Sequence, residues 1–175
     1  MDWEFEFLYA LQGMHTPVMD QIMLFLSFLG NAGLLWILIG VILLCFHKYR
    51  RGGIQMLVAI AVAFVVGNLI LKNVVARERP CWLVTDVELL LQIPKDYSFP
   101  SGHSMNGFVS AVSLFCIDKR MGIPALILAG LIAFSRLYLF VHFPTDVLAG
   151  ILLGVCIALI TDYIFVKKGW RKPIK

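Results

Sequence analysis

Long apolar runs separated by short charged turns set the pattern of the chain. From Val18 to Phe46 nearly every position is apolar, interrupted by Gly30-Asn31-Ala32-Gly33. At about 1.5 Å per residue, one unbroken helix over that run would overshoot the roughly 30 Å of a bilayer's hydrocarbon. The pattern therefore predicts a short outer helix, a break near Gly30, and a first span from about Gly33 to Phe46. A basic turn, His47-Lys48-Tyr49-Arg50-Arg51-Gly52-Gly53, leads into a second span from Ile54 to Leu71. A polar connection follows from Lys72 to Pro100 and contains Pro80 and Pro94, and connections of that length are usually functional or mobile. The third span starts near Ser101 and stops before Asp118-Lys119-Arg120, the fourth covers about Ile123 to Val141, and the fifth about Val147 to Val166. No internal repeat or low-complexity tract interrupts this series.

The first residues, Met1-Asp2-Trp3-Glu4-Phe5-Glu6-Phe7-Leu8, alternate acids with aromatics. That alternation predicts an amphipathic segment lying at the membrane interface, with Trp3 and Tyr9 as anchors. It has neither the basic region nor the small-residue cleavage site of a signal peptide, so it is expected to stay in the mature protein. Composition agrees with the pattern: 60% of the 175 residues are hydrophobic and the mean hydropathy is +0.86. The expected fold is all-α, a polytopic transmembrane helix bundle of about five spans plus an N-terminal interfacial amphipathic helix, forming a single membrane-embedded domain over residues 1–175.

Charge then orients the bundle. Of the 15 Lys and Arg residues, those at 48, 50, 51, 119, 120, 167, 168, 171, 172 and 175 fall in the turns and tail that this span count puts on one side. The positive-inside rule makes that side cytoplasmic. Lys72, Arg77, Arg79, Lys95 and Arg136 fall on the other, extracytoplasmic side, with the acidic N-terminus. Cys45, Cys116 and Cys156 lie in apolar runs and Cys81 in the connection, so no disulfide or Cys-x-x-Cys metal site is expected, and they read as small core residues.

Three polar clusters share the extracytoplasmic side. The first is Lys72 with Arg79-Pro80. The second is Pro100-Ser101-Gly102-His103, where Pro100 and Ser101 mark a helix start whose free N–H groups and dipole favour an anion. Alone, that tetrapeptide fits equally well a capped helix whose histidine is merely interfacial. The third cluster is Ser135-Arg136 with His142 and Asp146. Lys72 and Arg79 are seven apart and would share a helical face, though Arg79, preceding Pro80, is biased out of the helix. Lys72 alone also reads as a snorkelling lysine. Arg136 sits in apolar surroundings, where an unpaired cation is costly and a functional partner is the default. His142 and Asp146 are expected to meet across a loop-to-helix junction with Thr145 near the N-cap, the carboxylate fixing one imidazole nitrogen and freeing the other to attack phosphorus. Together the clusters supply what phosphoryl transfer without a metal requires. His15 and His47 stand outside them, Asn68 and Asn106 read as interhelical hydrogen bonds, and Asp162 is placed to pair with the basic tail.

Lys72-x6-Arg79-Pro80, Pro100-Ser101-Gly102-His103 and Ser135-Arg136-x5-His142-x3-Asp146, in that order, resemble the three-part signature of the type-2 phosphatidic acid phosphatase superfamily. The resemblance implies that His142 is the nucleophile, Asp146 orients it and His103 protonates the leaving oxygen. It also implies that Lys72, Arg79, Ser101, Gly102 and Arg136 bind phosphate, with no metal or other cofactor. Where members often have six spans, this pattern gives five plus the interfacial segment. The expected function is hydrolysis of a lipid phosphate or diphosphate at the extracytoplasmic face through a phosphohistidine. Little outer mass and five outer cations favour undecaprenyl diphosphate as the substrate. Phosphatidylglycerol phosphate, phosphatidic acid and transfer to a second lipid are the alternatives, and a carrier without turnover would not need both histidines. The expected partners are the lipid substrate and the bilayer, with no nucleic acid.

Overall fold

The computed structural model describes residues 2–84 and 86–171, and every regular element among them is helical. Helix α1 covers Asp2–Gln12 and α2 Pro17–Leu29; Thr16 caps α2 by accepting from the Met19 amide at 3.3 Å, with Pro17 in the first turn. The apolar run breaks at a 3₁₀ turn over Asn31–Gly33, where Ala32 (φ 51°) and Gly33 (φ 67°) are left-handed, and α3 resumes over Leu34–Cys45 at 42° to α2. Helix α4 (Arg50–Ala63) continues through a π-helical stretch, Phe64–Leu71, into α5 (Lys72–Val75). A short α6 (Pro80–Leu83) and an irregular segment lead to α7 (Gly102–Ile117), α8 (Lys119–Tyr138) and α9 (Pro144–Lys167).

Among the described residues, three helical stretches, beginning at Arg50, Lys119 and Pro144, are long and apolar enough to cross a membrane, or four if the bent pair α2 and α3 counts as one. The expected count of five is not confirmed by length and composition. Helix α7, at 16 residues, is shorter than the about 20 that a hydrocarbon core requires. Its burial explains why it can be short: α7 is the central helix, packed by α4, α8 and α9, and presents small polar residues such as Ser104, Ser110 and Ser113 inward. Helix α1 is not free of the bundle either, since Glu4, Leu8 and Leu11 are buried.

Close packing of α9 on α7 sets the geometry of everything that follows. A Cβ at Gly150 would come within 2.6 Å of the Ser101 carbonyl oxygen, and one at Gly154 within 2.7 Å of that of Met105. These glycines let the two backbones touch, as small residues do at membrane helix interfaces. The Ser101 amide accordingly donates to the Asp146 carbonyl at 3.0 Å, which brings the starts of α7 and α9 together.

At the opposite end, Tyr49 donates to Asp118 at 3.4 Å, while Gln55, Asp162 and Arg171 form one cluster, so Asp162 does pair with the basic tail. Lys172 and Lys175, counted above in that tail, lie outside the described residues.

Candidate active site

The helix carrying Lys72 stops at Val75 because Ala76 turns left-handed (φ 46°), and Arg79 stands in extended backbone before Pro80. The two cations therefore do not share a helical face as their spacing suggested. They converge because the chain doubles back. Arg79 is held on backbone oxygens of Val141 (2.7 Å), Asp96 (2.7 Å) and Tyr97 (3.3 Å), which fix its guanidinium whatever else is bound. The Asp96 carboxylate, on the irregular segment, accepts from Arg79 at 2.9 Å and from Lys72. Burial alone would raise the Asp96 pKa, but these two cations outweigh it and pull it down to about 2.

His142 lies between α8 and α9 and is almost completely buried. Its Nε2 is 3.1 Å from Arg79 Nη1, and its Nδ1 is 3.3 Å from Ser98 Oγ. A guanidinium only donates, so Nε2 is the acceptor and the ring proton is assigned to Nδ1. Burial first, then the Arg79, Arg136 and Lys72 charges, push its pKa well below the usual histidine range and keep it neutral.

Asp146 does not touch His142 directly: Oδ2 is 3.7 Å from Nδ1, beyond hydrogen-bond reach. Its oxygens are engaged elsewhere. Oδ2 accepts from the Phe143 amide at 2.9 Å and from Ser98 Oγ at 2.5 Å, while Oδ1 accepts from Arg77 at 2.8 Å. Phe143 is the N-cap of α9, Thr145 stands near it at the second helical position, and Asp146 at the third closes the cap from inside. Arg77 also donates to Thr145 (2.6 Å) and Glu4 (2.7 Å) and lies over the Phe143 ring at 4.1 Å.

Lys72, Arg79, Gly102, His103, Arg136 and His142 line one cavity of about 710 Å³. Ser101 and Asp146 stand behind its wall. The Ser101 hydroxyl is occupied as the α7 cap, accepting from Ser104 N (3.5 Å) and Ser104 Oγ (3.0 Å). His103 Nε2 is 3.1 Å from Asn31 Oδ1, and Arg136 Nη1 donates to Ser27, leaving its buried Nε without a partner. Asn68 and Asn106 also line the cavity with carboxamide oxygens that have no partner among the described residues, so those oxygens do not make the interhelical bonds their positions suggested. His15 lies apart, stacked on Tyr138 at 4.2 Å.

Sequence reasoning did not single out Arg77, Asp96, Ser98, Asn31, Ser27 or Glu4. Ser98 and Asp96 sit just before Pro100-Ser101-Gly102-His103, and Arg77 two residues before Arg79, so nearness to the motifs was the available signal.

Clustered cations, the start of a helix and a neutral imidazole presenting a lone pair make this a phosphate-type site inside a helical membrane bundle. The chain belongs to the PAP2 superfamily, whose family model matches residues 52–170. It is 38% identical over 144 residues to an undecaprenyl-diphosphatase of Sulfolobus acidocaldarius, covering 82% of this chain and 69% of that one. The structure is similar to the crystal structure of a PAP2-type phosphatidylglycerolphosphate phosphatase from Bacillus subtilis, with TM-score 0.79, 29% identity, and 95% and 86% of the two chains covered. It is also similar to Aquifex aeolicus LpxE, with TM-score 0.78, 28% identity, and 90% and 93% covered. The protein is thus a PAP2 lipid phosphatase.

Proposed function

We propose that the protein converts undecaprenyl diphosphate to undecaprenyl phosphate at the extracytoplasmic face, without a metal, through a phosphohistidine at His142. The observation that carries this reading is the His142 ring, with its Nε2 lone pair 3.1 Å from Arg79 in a cavity also lined by Lys72 and Arg136. Nε2 attacks the terminal phosphorus, the bond from phosphorus to the bridging oxygen breaks, and His103 gives its proton to that oxygen. Water then attacks phosphorus, His103 takes the proton, and His142 is released. Lys72, Arg79, Arg136 and the start of α7 at Gly102 offset the charge on the transferring phosphoryl group, and Ser101 fixes that helix start.

The diphosphate is favoured by the relative named as an undecaprenyl-diphosphatase. The structural likeness to a phosphatidylglycerolphosphate phosphatase supports a second reading, in which a glycerolipid phosphomonoester is cleaved by the same steps. Phosphate release by the purified protein in detergent with EDTA, over undecaprenyl diphosphate, phosphatidylglycerol phosphate and phosphatidic acid, tests both. The expected kcat/KM is highest for the diphosphate, and a tenfold preference for a glycerolipid would reverse the choice. His142→Ala is expected to lower kcat by more than about 10²-fold, or about 2.7 kcal/mol, and a smaller loss would exclude covalent catalysis there.

A further inference from the structure

We propose that Ser98 is a positioning residue through which Asp146 acts on His142, forming an Asp–Ser–His relay where a direct carboxylate–imidazole contact would be expected. Four observations carry it. Ser98 is completely buried and its amide donates to the Arg77 carbonyl at 2.8 Å, so its place is fixed by backbone. Its Oγ is 2.5 Å from Asp146 Oδ2 and 3.3 Å from His142 Nδ1. The direct distance between Oδ2 and Nδ1 is 3.7 Å. Finally, Asp146 is anchored by Arg77 and the Phe143 amide, which hold it away from the ring.

The proton directions follow from donor chemistry. An ionised carboxylate only accepts, so the Ser98 hydroxyl proton points at Asp146 and an oxygen lone pair remains for Nδ1. That lone pair requires a proton on Nδ1. The Arg79 guanidinium at Nε2 favours an acceptor there as well, and losing either contact weakens the preference. Two contacts on opposite sides of the ring therefore select one tautomer, the one whose free nitrogen faces the cavity.

The hydroxyl also alters what the carboxylate does. A carboxylate bonded directly to imidazole favours the imidazolium strongly, whereas a neutral hydroxyl orients the ring with less pull on its charge. A ring kept neutral is ready to attack. Resting on the phosphohistidine reading above, the same feature helps the second step, because a less basic imidazole is the better leaving group from phosphorus. In neither step does a proton leave Nδ1: the P–N bond forms and breaks at Nε2, the ring's transient positive charge is shared with Nδ1–H, and Ser98 Oγ accepts that hydrogen bond throughout.

The test joins kinetics with a direct reading of the ring. Ser98→Ala should lower kcat by roughly 10- to 10²-fold while KM and the vanadate Ki change less than threefold, since the cations are untouched. Because Asp146 acts through Ser98, the double variant Ser98→Ala with Asp146→Asn should lose no more than the worse single variant. In two-bond ¹H–¹⁵N spectra, the parent His142, assigned by its absence in His142→Gln, should show Nδ1 protonated, and Ser98→Ala should shift the population toward protonated Nε2. The relay is overturned by a parent ring protonated at Nε2, by a Ser98→Ala kcat within threefold of the parent, or by losses that multiply. Should the parent release no phosphate from any lipid, the proposed activity fails. The tautomer and its dependence on Ser98 then still decide the relay, using spectra of the parent and of Ser98→Ala or, if that variant does not fold, Ser98→Gly.

Discussion

The carboxylate of Asp96 bridges two of the cations that the proposed mechanism assigns to the substrate phosphate, so on that reading carboxylate and phosphate compete for one place. These are Lys72 and Arg79, whose side chains are 10% and 3% exposed, while that of Asp96 is 57% exposed on an irregular segment. Arg79 is held by backbone, and the carboxylate is open to solvent. Arg79 keeps its three backbone acceptors when the carboxylate turns out, so its guanidinium does not depend on Asp96 for its place. Replacing Asp96 by Asn removes the charge with little change in size. It raises the free energy of the empty site but not of the occupied one, so anion binding should tighten. Two charge-assisted contacts to a half-exposed carboxylate, each discounted for solvent screening to about 0.5–1 kcal/mol, sum to about 1–2 kcal/mol. That corresponds to roughly 5- to 30-fold in Ki. The assay is inhibition of phosphate release by dodecylphosphonate, a dianion, and by its monomethyl ester, a monoanion. A competitor that is fully displaced tightens both by the same factor when it is deleted. Unchanged or weaker binding of both would mean that Asp96 organises the cations. Tightening that grows with ligand charge would mean that the carboxylate stays beside the ligand, and either result refutes displacement.

Two further predictions follow from buried charge. Arg77 is the cation shared by Glu4 and Asp146, both buried, and Arg77→Met should cost about 3–5 kcal/mol in thermal unfolding in detergent. Adding Glu4→Gln should recover part of that loss, and strictly additive losses would show that the three groups are not coupled. For His142, whose pKa is depressed by burial and by Arg79, the unfolded chain takes up a proton below about pH 6.5 that the folded chain does not. Stability should therefore fall on acidification by up to about 1.4 kcal/mol per pH unit, a slope that His142→Gln should remove. Parallel stability curves for parent and variant between pH 7 and pH 5 would contradict this.

What could be read from the sequence was chemistry confined to short motifs. Three clusters far apart in the chain line or back one cavity because Gly150 and Gly154 let α9 close onto α7, and the break at Gly30 to Gly33 falls where the glycines mark it. The relation between Lys72 and Arg79 was not legible, because the helix ends at Ala76, an alanine in a left-handed conformation with no glycine or proline before Pro80 to announce it. The separation of Asp146 from His142 was hidden for a different reason. Spacing predicts which residues are near, but which carboxylate oxygen is free depends on Arg77, Ser98 and the Phe143 amide arriving from three places. An aspartate inside an anion site runs against simple charge complementarity, so no pattern of cations would have pointed to Asp96.

The match to the family model begins at residue 52, yet the chain before that point reaches three parts of the site. Glu4 accepts from Arg77 and from the Thr145 hydroxyl at 2.7 Å, Ser27 accepts from Arg136, and Asn31 contacts His103. The kink that delivers Asn31 also brings Gly30 so near that a Cβ there would lie 2.6 Å from His103 Cδ2. The apolar share of the cavity lining divides the same way: Leu24, Phe28 and Ala32 come from this first stretch, and Leu91, Ile93 and Pro94 from the segment before Pro100. On the roles proposed above, the signature residues handle the phosphate, which is common to every lipid phosphate. On the same reading, the features that differ between lipids, the tail and the group next to phosphorus, would meet side chains from these two stretches. Differences in substrate among proteins sharing this signature are therefore to be sought around Leu24 to Ala32 and Leu91 to Pro94, where a change can reshape the lining without disturbing the nucleophile or its cations.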